Sequence, residues 1–232
     1  MKVKKKILKK ENLLLYAITD RRWLSITKNG NKRKPVMTLE EQVELSIKAG
    51  VTMLQLREKD IKDDEFLKEA ISIKKICNQY NIPLIINDNI EVAKAISADG
   101  VHLGQADLKK SEKWKDIKDE LIIGISASNV NEAKIAEENG ADYLGVGDIF
   151  GTLTKDNARH ISVDILIDIC NSVSIPVIAI GGIDSNNIKE LTYSNISGVA
   201  VISAIFSEED INYATKNLRR RLDNMILQKK EK

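Results

Sequence analysis

Eight short apolar runs, separated by polar segments with helical spacing, constrain this chain more than any other feature. They lie at 13–19, 51–56, 83–87, 100–103, 121–126, 142–147, 176–180 and 198–202. Runs apolar on nearly every residue suit strands buried on both faces. Helices between consecutive strands require parallel pairing with right-handed crossovers. Eight such units in 232 residues predict a closed, single-domain (β/α)8 TIM barrel, because an open doubly wound sheet usually stops at fewer strands and shows a glycine-rich first turn. The barrel is expected over 13–228, preceded by a basic extension at 1–12. With 43% hydrophobic residues, the chain can fill such a core.

The punctuation agrees. Thr38 with Glu41 reads as a capping box opening the first helix, and Ser162, Asp164 and Asp184-Ser185-Asn186 supply acceptors or charge at later helix starts. Gly50, Gly100 and Gly140 sit where C-terminal caps would stand. No dinucleotide-binding or P-loop glycine motif is present.

Charge excludes one class of partner. The formal +2 comes from Lys-rich ends, and residues 11–215 carry 23 basic and 32 acidic side chains, a net of −9. That is a poor footprint for nucleic-acid binding, so the basic ends are read as solvated. No apolar stretch approaches a membrane span and no cleavable leader is evident. Cys77 and Cys170 are far apart without metal-like spacing, which suits reduced thiols and a cytoplasmic setting. A homo-oligomer is left open.

In a barrel, reactive groups gather where strands end. Alternation turns Gln55, Arg57 and Lys59 of Gln55-Leu56-Arg57-Glu58-Lys59 the same way, placing an amide and two cations at one point of the mouth. Asn87-Asp88 and Gly104-Gln105-Ala106-Asp107 bring two carboxylates from adjacent strands. Oxygen-only ligands of this kind suit Mg²⁺ completed by waters and phosphate oxygens, although either aspartate could simply cap a helix. Ser126 ends the fifth run. The segment 147–155 offers Thr152, Leu153, Thr154 and Lys155 to an anion. Gly181-Gly182 and Ile202-Ser203 follow the last two runs as a backbone phosphate site would. His102, inside the fourth run, is expected as a packed imidazole, and no partner can be named for His160.

The ordered motifs QLREK (55–59), ND (87–88), HLGQAD (102–107), GIS (124–126), ADYLGVGDIFGTLTK (141–155), AIGGI (179–183) and VAVISAI (199–205) resemble the thiamine phosphate synthase family from about Leu13 to Phe206. The resemblance implies a Mg²⁺-dependent transferase joining hydroxymethylpyrimidine diphosphate to a thiazole phosphate with release of pyrophosphate. It assigns the pyrimidine diphosphate to Gln55, Arg57, Lys59, Asn87, Ser126 and Lys155, and Leu56 and Glu58 of the same motif are expected to bind substrate as well. Arg57, Lys59, Ser126 and Lys155 are the catalytic expectation. Mg²⁺ goes to Asp88 and Asp107, and the thiazole phosphate to Thr152, Thr154, Gly182, Ile202 and Ser203, with Leu153 between the two threonines also expected to bind substrate.

Asp148 departs from the family pattern by standing where a proline is usual, adding a carboxylate to a phosphate-binding segment. The Trp23–Lys34 loop is longer and more basic than the pattern requires. Two rivals share the scaffold. A thiazole tautomerase needs an acid–base group at the pocket, yet the histidine expected there is Ser128. A non-catalytic phosphate-binding regulator has no reason to keep the two aspartates.

Overall fold

Every apolar run carries a strand. A computed structural model describes residues 5–34, 36–59, 61–110, 113–151 and 160–230. Its strands are β1 (Leu15–Ile18), β2 (Met53–Leu56), β3 (Leu84–Asn87), β4 (Gly100–Leu103), β5 (Ile122–Ala127), β6 (Tyr143–Val146), β7 (Val177–Ile180) and β8 (Gly198–Val201). All pair in parallel with their chain neighbours, and β1 pairs with β8 through Leu15↔Val199 and Tyr16↔Ala200, closing the barrel.

Helices α1 (Leu39–Lys48), α2 (Asp63–Gln79), α3 (Ile90–Ala95), α4 (Gln105–Lys110), α5 (Val130–Glu138) and α6 (Val163–Ser172) follow the first six strands, while α7 (Ser203–Phe206) and α8 (Ile211–Lys230) follow β8. One expected helix is missing in kind: β7 and β8 are joined through a 3₁₀ turn at Ile188–Leu191. The capping box forms as read, with Glu41 N–H donating to Thr38 Oγ1 at 3.2 Å and Thr38 N–H to Glu41 Oε2 at 2.8 Å. Gly50 and Gly140 take positive φ after α1 and α5, but Gly100 does not cap α3. It begins β4, where a side chain would strike Ile122 and Ile85, and Ser97 takes the left-handed position instead.

Alternation gives each strand two cores. Leu15, Leu54, Leu84 and Val101 face the helices, whereas Tyr16, Met53, Ile85, Ile122, Tyr143, Ile178 and Ala200 fill the barrel axis. The helices answer with apolar stripes: Phe66, Ala70, Ile73 and Cys77 are the buried positions of α2, spaced to lie on one face. Each large side chain so buried contributes about 1.5–3 kcal/mol. Burial also pushes the Cys77 thiol up to about 12, as befits an inert core thiol.

The N-terminal extension, read as a solvated end, is strapped under the barrel where it is described. Lys5 Nζ meets Asp142 Oδ2 and Lys6 Nζ meets Asp99 Oδ1, both at 2.7 Å. Asp99 also accepts from Lys74 Nζ at 2.7 Å and Leu84 N–H at 2.8 Å. Burial opposes its charge, but these donors outweigh burial and hold the carboxyl below its usual range. Both aspartates immediately precede strands, so the ion pairs lie at the end of the barrel opposite the strand C-termini.

Candidate active site

The strand C-termini surround a cavity of about 600 Å³, within the size range of small-molecule sites. Gln55 lines it from β2 and Arg57 and Lys59 from just beyond it, Asn87 from β3, Ser126 from β5, and Gly182, Ile202 and Ser203 from beyond β7 and β8. The cations and the Gly182–Ser203 region therefore occupy different parts of the rim. Alternation also sends two predicted residues the other way. Leu56 is fully buried in the helix-facing core, and the Glu58 side chain, 2% exposed, pairs with Arg21. Thr152, Leu153, Thr154 and Lys155 lie outside the described residues.

Asp88 and Asp107 flank the cavity without lining it. Asn87 Nδ2 donates to Asp88 Oδ2 at 2.6 Å, and Gly104 N–H donates to Asp107 Oδ2 at 3.1 Å. The second bond is the local capping contact anticipated for an aspartate early in a helix. The two residues follow paired strands, and Asp88 N–H bonds His102 O across them at 2.9 Å. Among the described residues no three His, Cys, Asp or Glu converge on a metal position. Two carboxylates beside a cavity lined by Arg57 and Lys59 have the oxygen chemistry that suits Mg²⁺, which binds through few protein ligands and takes the rest from phosphates and water.

Below the mouth lies a polar chain that sequence reasoning did not anticipate. Gln55 Nε2 donates to Tyr16 Oη at 2.7 Å; Tyr16 Oη and Tyr143 Oη are 3.0 Å apart; Tyr143 Oη is 3.0 Å from His102 Nδ1; and His102 Nε2 is 3.0 Å from Ser126 Oγ. Gln55 donates at one end, and along the rest of the chain the two hydroxyl hydrogens and the tautomer of His102 set the direction of each bond. Burial raises the pKa of both tyrosines, so both hydroxyls keep their protons. Glycines make the room: a Cβ at Gly124 would strike the Tyr143 ring, and one at Gly145 would crowd His102. A glycine inside each of two adjacent apolar runs was the available signal. His102 is packed, as expected, but within this chain and at the cavity wall. His160 is exposed.

The region beyond β7 and β8 is built for close backbone approach. Gly181 and Gly182 have φ of 98° and 64°, and a Cβ on Gly182 would collide with the backbone of Phe150 and Gly151. Ser203 opens α7, which is held from behind by the Trp23–Lys34 loop. Arg33, 3% exposed, donates to Phe206 O at 2.6 Å, Glu208 O at 2.8 Å, Glu209 O at 3.3 Å and Trp23 O at 3.2 Å. The loop thus has a structural role at the back of the β8 end of the site. Asp148 sits in the cavity wall, 7% exposed, with Oδ1 over Gly181 and without a hydrogen-bond partner among the described residues.

Fold and site together define a (β/α)8 barrel with a polar cavity at its strand C-termini, the end where enzymes of this fold carry their reactive groups. The family model described as "Thiamine monophosphate synthase" matches residues 15–205. The chain is 47% identical to thiamine-phosphate synthase of Coprothermobacter proteolyticus over 90% of this chain and 95% of that one. It is 42% identical to the enzyme of the same name from Clostridium botulinum, over 91% and 94%. The structure of a thiamine phosphate pyrophosphorylase from Pyrococcus furiosus superposes with a TM-score of 0.82 at 37% identity, covering 94% of this chain and 98% of that one. This chain belongs to the thiamine monophosphate synthase family and is a transferase of thiamine biosynthesis.

Proposed function

We propose that the enzyme condenses 4-amino-2-methyl-5-hydroxymethylpyrimidine diphosphate with thiazole phosphate, giving thiamine monophosphate and pyrophosphate in a Mg²⁺-dependent reaction. The observation that carries this reading is one cavity with two separate anion-binding regions, cationic at Arg57 and Lys59 and backbone-based at Gly182 and Ser203. Arg57 and Lys59, joined by Lys155, hold the diphosphate, while Gln55, Asn87 and Ser126 orient the pyrimidine. Leu56 and Glu58 serve the motif from behind, with their side chains turned outward. Thr152, Leu153, Thr154, Gly182, Ile202 and Ser203 hold the thiazole phosphate. Asp88 and Asp107 are the residues that would hold Mg²⁺, which supplies charge neutralisation to the departing pyrophosphate.

The reaction is an ionising displacement. The C–O bond to the diphosphate breaks with its electron pair leaving on pyrophosphate, and the thiazole nitrogen lone pair closes the new C–N bond. No side chain acts as nucleophile. Arg57 and Lys59 stabilise charge growing on the leaving group, and the two held phosphates align the reactants, effects that can each account for several kcal/mol of the barrier. Apolar walls from Ile18, Ile180 and Ile202 restrict the water that would otherwise trap the pyrimidinylmethyl cation. Two free cysteines, one in the core, support a reducing, cytoplasmic setting. No described helix is long and apolar enough to cross a membrane.

The test is pyrophosphate release by the purified protein with both substrates, with and without Mg²⁺, beside a control lacking thiazole phosphate. Release that needs both substrates and metal is expected. Interconversion of thiazole phosphate tautomers without pyrophosphate release would replace this reading with the tautomerase.

A further inference from the structure

The segment Arg57-Glu58-Lys59 places a carboxylate between the two cations expected to hold a diphosphate. An exposed Glu58, adjacent to both in sequence, would compete with the ligand for them. The fold removes it. The Glu58 side chain does not line the cavity and is 2% exposed, and Arg21 Nε donates to its Oε2 at 3.0 Å. The same guanidinium reaches Glu69 Oε2 on α2 through Nη2 at 2.5 Å. Each glutamate keeps its Oε1 buried without a hydrogen-bond donor among the described residues, an arrangement that a proton shared between the carboxyls would satisfy. Burial, followed by the charge of Glu58, raises Glu69 to about 7, consistent with a proton held there.

A second attachment secures the neighbouring backbone. Arg57 N–H donates to Thr19 Oγ1 at 2.9 Å, and Thr19 N–H donates to Gln55 O at 3.0 Å. Both attachments run from the end of β2 to the chain that leaves β1, one through Thr19 and the other through Arg21.

We propose that Arg21, with Glu69, is a positioning residue that sequesters Glu58 and so leaves Arg57 and Lys59 available to the diphosphate. The proposal rests on the reading of Arg57 and Lys59 given above. It differs from a general stabilising role in one respect: once Arg21 is removed, the damage comes from the freed charge of Glu58, so removing that charge as well repairs it.

Binding of inorganic pyrophosphate in the presence of Mg²⁺, measured by calorimetry on the full chain, tests this with four variants. Arg21→Ala is expected to weaken binding about tenfold, on the scale of losing a hydrogen bond to a charged group. The double variant Arg21→Ala/Glu58→Gln is expected to recover to within about threefold of the parent. Thiazole phosphate binding stays unchanged in both and reports an intact barrel. Arg21 is half-exposed, so the single change is tolerable, and Arg21→Lys, with one charge but no fork to span two carboxylates, gives an intermediate value. Unchanged pyrophosphate affinity in Arg21→Ala, or a double variant no better than the single one, overturns the proposal. Lys59→Ala in the same assay separates the layers. If it binds pyrophosphate as tightly as the parent, the diphosphate reading falls and takes this inference with it; if it binds weakly while Arg21→Ala does not, only this inference falls.

Discussion

His102 Nε2 lies 3.0 Å from Ser126 Oγ while the Nδ1 of the same ring lies 3.0 Å from Tyr143 Oη, so a single imidazole links a fully buried tyrosine to a hydroxyl at the cavity. His102→Ala should lower kcat by about tenfold or more, because Ser126 loses the bond that orients it, and should cost roughly 1–3 kcal/mol through the stranded Tyr143 hydroxyl. Steady-state kinetics and urea denaturation of the same variant check the two effects. Unchanged values in both would make the chain incidental.

Asp88 has φ 61°, which asparagine tolerates better than most residues. Asp88→Asn therefore removes charge with little backbone cost. The variant should fold normally and require about 10–100 times more Mg²⁺ for half-maximal turnover, the scale on which metal sites respond to altered ligands and their partners. A Mg²⁺ titration of activity identical to the parent would remove Asp88 from the metal assignment.

Gly182→Ala tests the backbone region beyond β7. Its φ of 64° and the approach of Phe150 and Gly151 oppose a side chain, with a cost of about 1–3 kcal/mol in local strain. The KM for thiazole phosphate should rise and that for the pyrimidine diphosphate should hardly move. Ser203→Ala should raise the same KM only modestly, since backbone N–H groups share that contact. Equal increases in both KM values for Gly182→Ala would signal general disorder of the mouth.

Arg33 serves four buried or half-buried carbonyls from one nearly inaccessible guanidinium. Arg33→Ala should destabilise the fold by about 3 kcal/mol, since the Phe206, Glu208 and Glu209 carbonyls lose this donor together while Trp23 O keeps Gln42. The midpoint of urea unfolding reports this; a change below about 0.5 kcal/mol, typical of surface positions, would contradict it.

The Glu69 carboxyl gives the enzyme a pH signature. Burial and the Glu58 charge raise it to about 7 from 4.5, with Arg21 opposing and Glu40 adding to the rise. The folded state then binds more protons than the unfolded state between those values. Its contribution is fully present below about 4.5 and is lost as pH rises through about 7. Glu69→Gln should accordingly gain stability relative to the parent at pH 8 compared with pH 5. Parallel stability-versus-pH curves for the two proteins would mean that Glu69 is ionised throughout.

The alternation of apolar runs and helical segments determined the barrel, its parallel order and the strand ends at which chemistry gathers, because period and burial are local properties of a sequence. Period 2 likewise selected Gln55, Arg57 and Lys59 for one face, and by the same rule turned Leu56 and Glu58 to the other. Position in a motif could not reveal what Glu58 meets there: its partners stand 37 and 11 positions away at Arg21 and Glu69, and only closure of the barrel and docking of α2 bring them together. The same holds for the chain from Gln55 to Ser126, assembled from five strands, for Arg33 behind α7, and for Lys5 and Lys6 under the barrel floor. Contacts between residues far apart in sequence leave no periodic trace, so the tertiary structure alone decided which polar groups are spent on one another and which are left for a ligand.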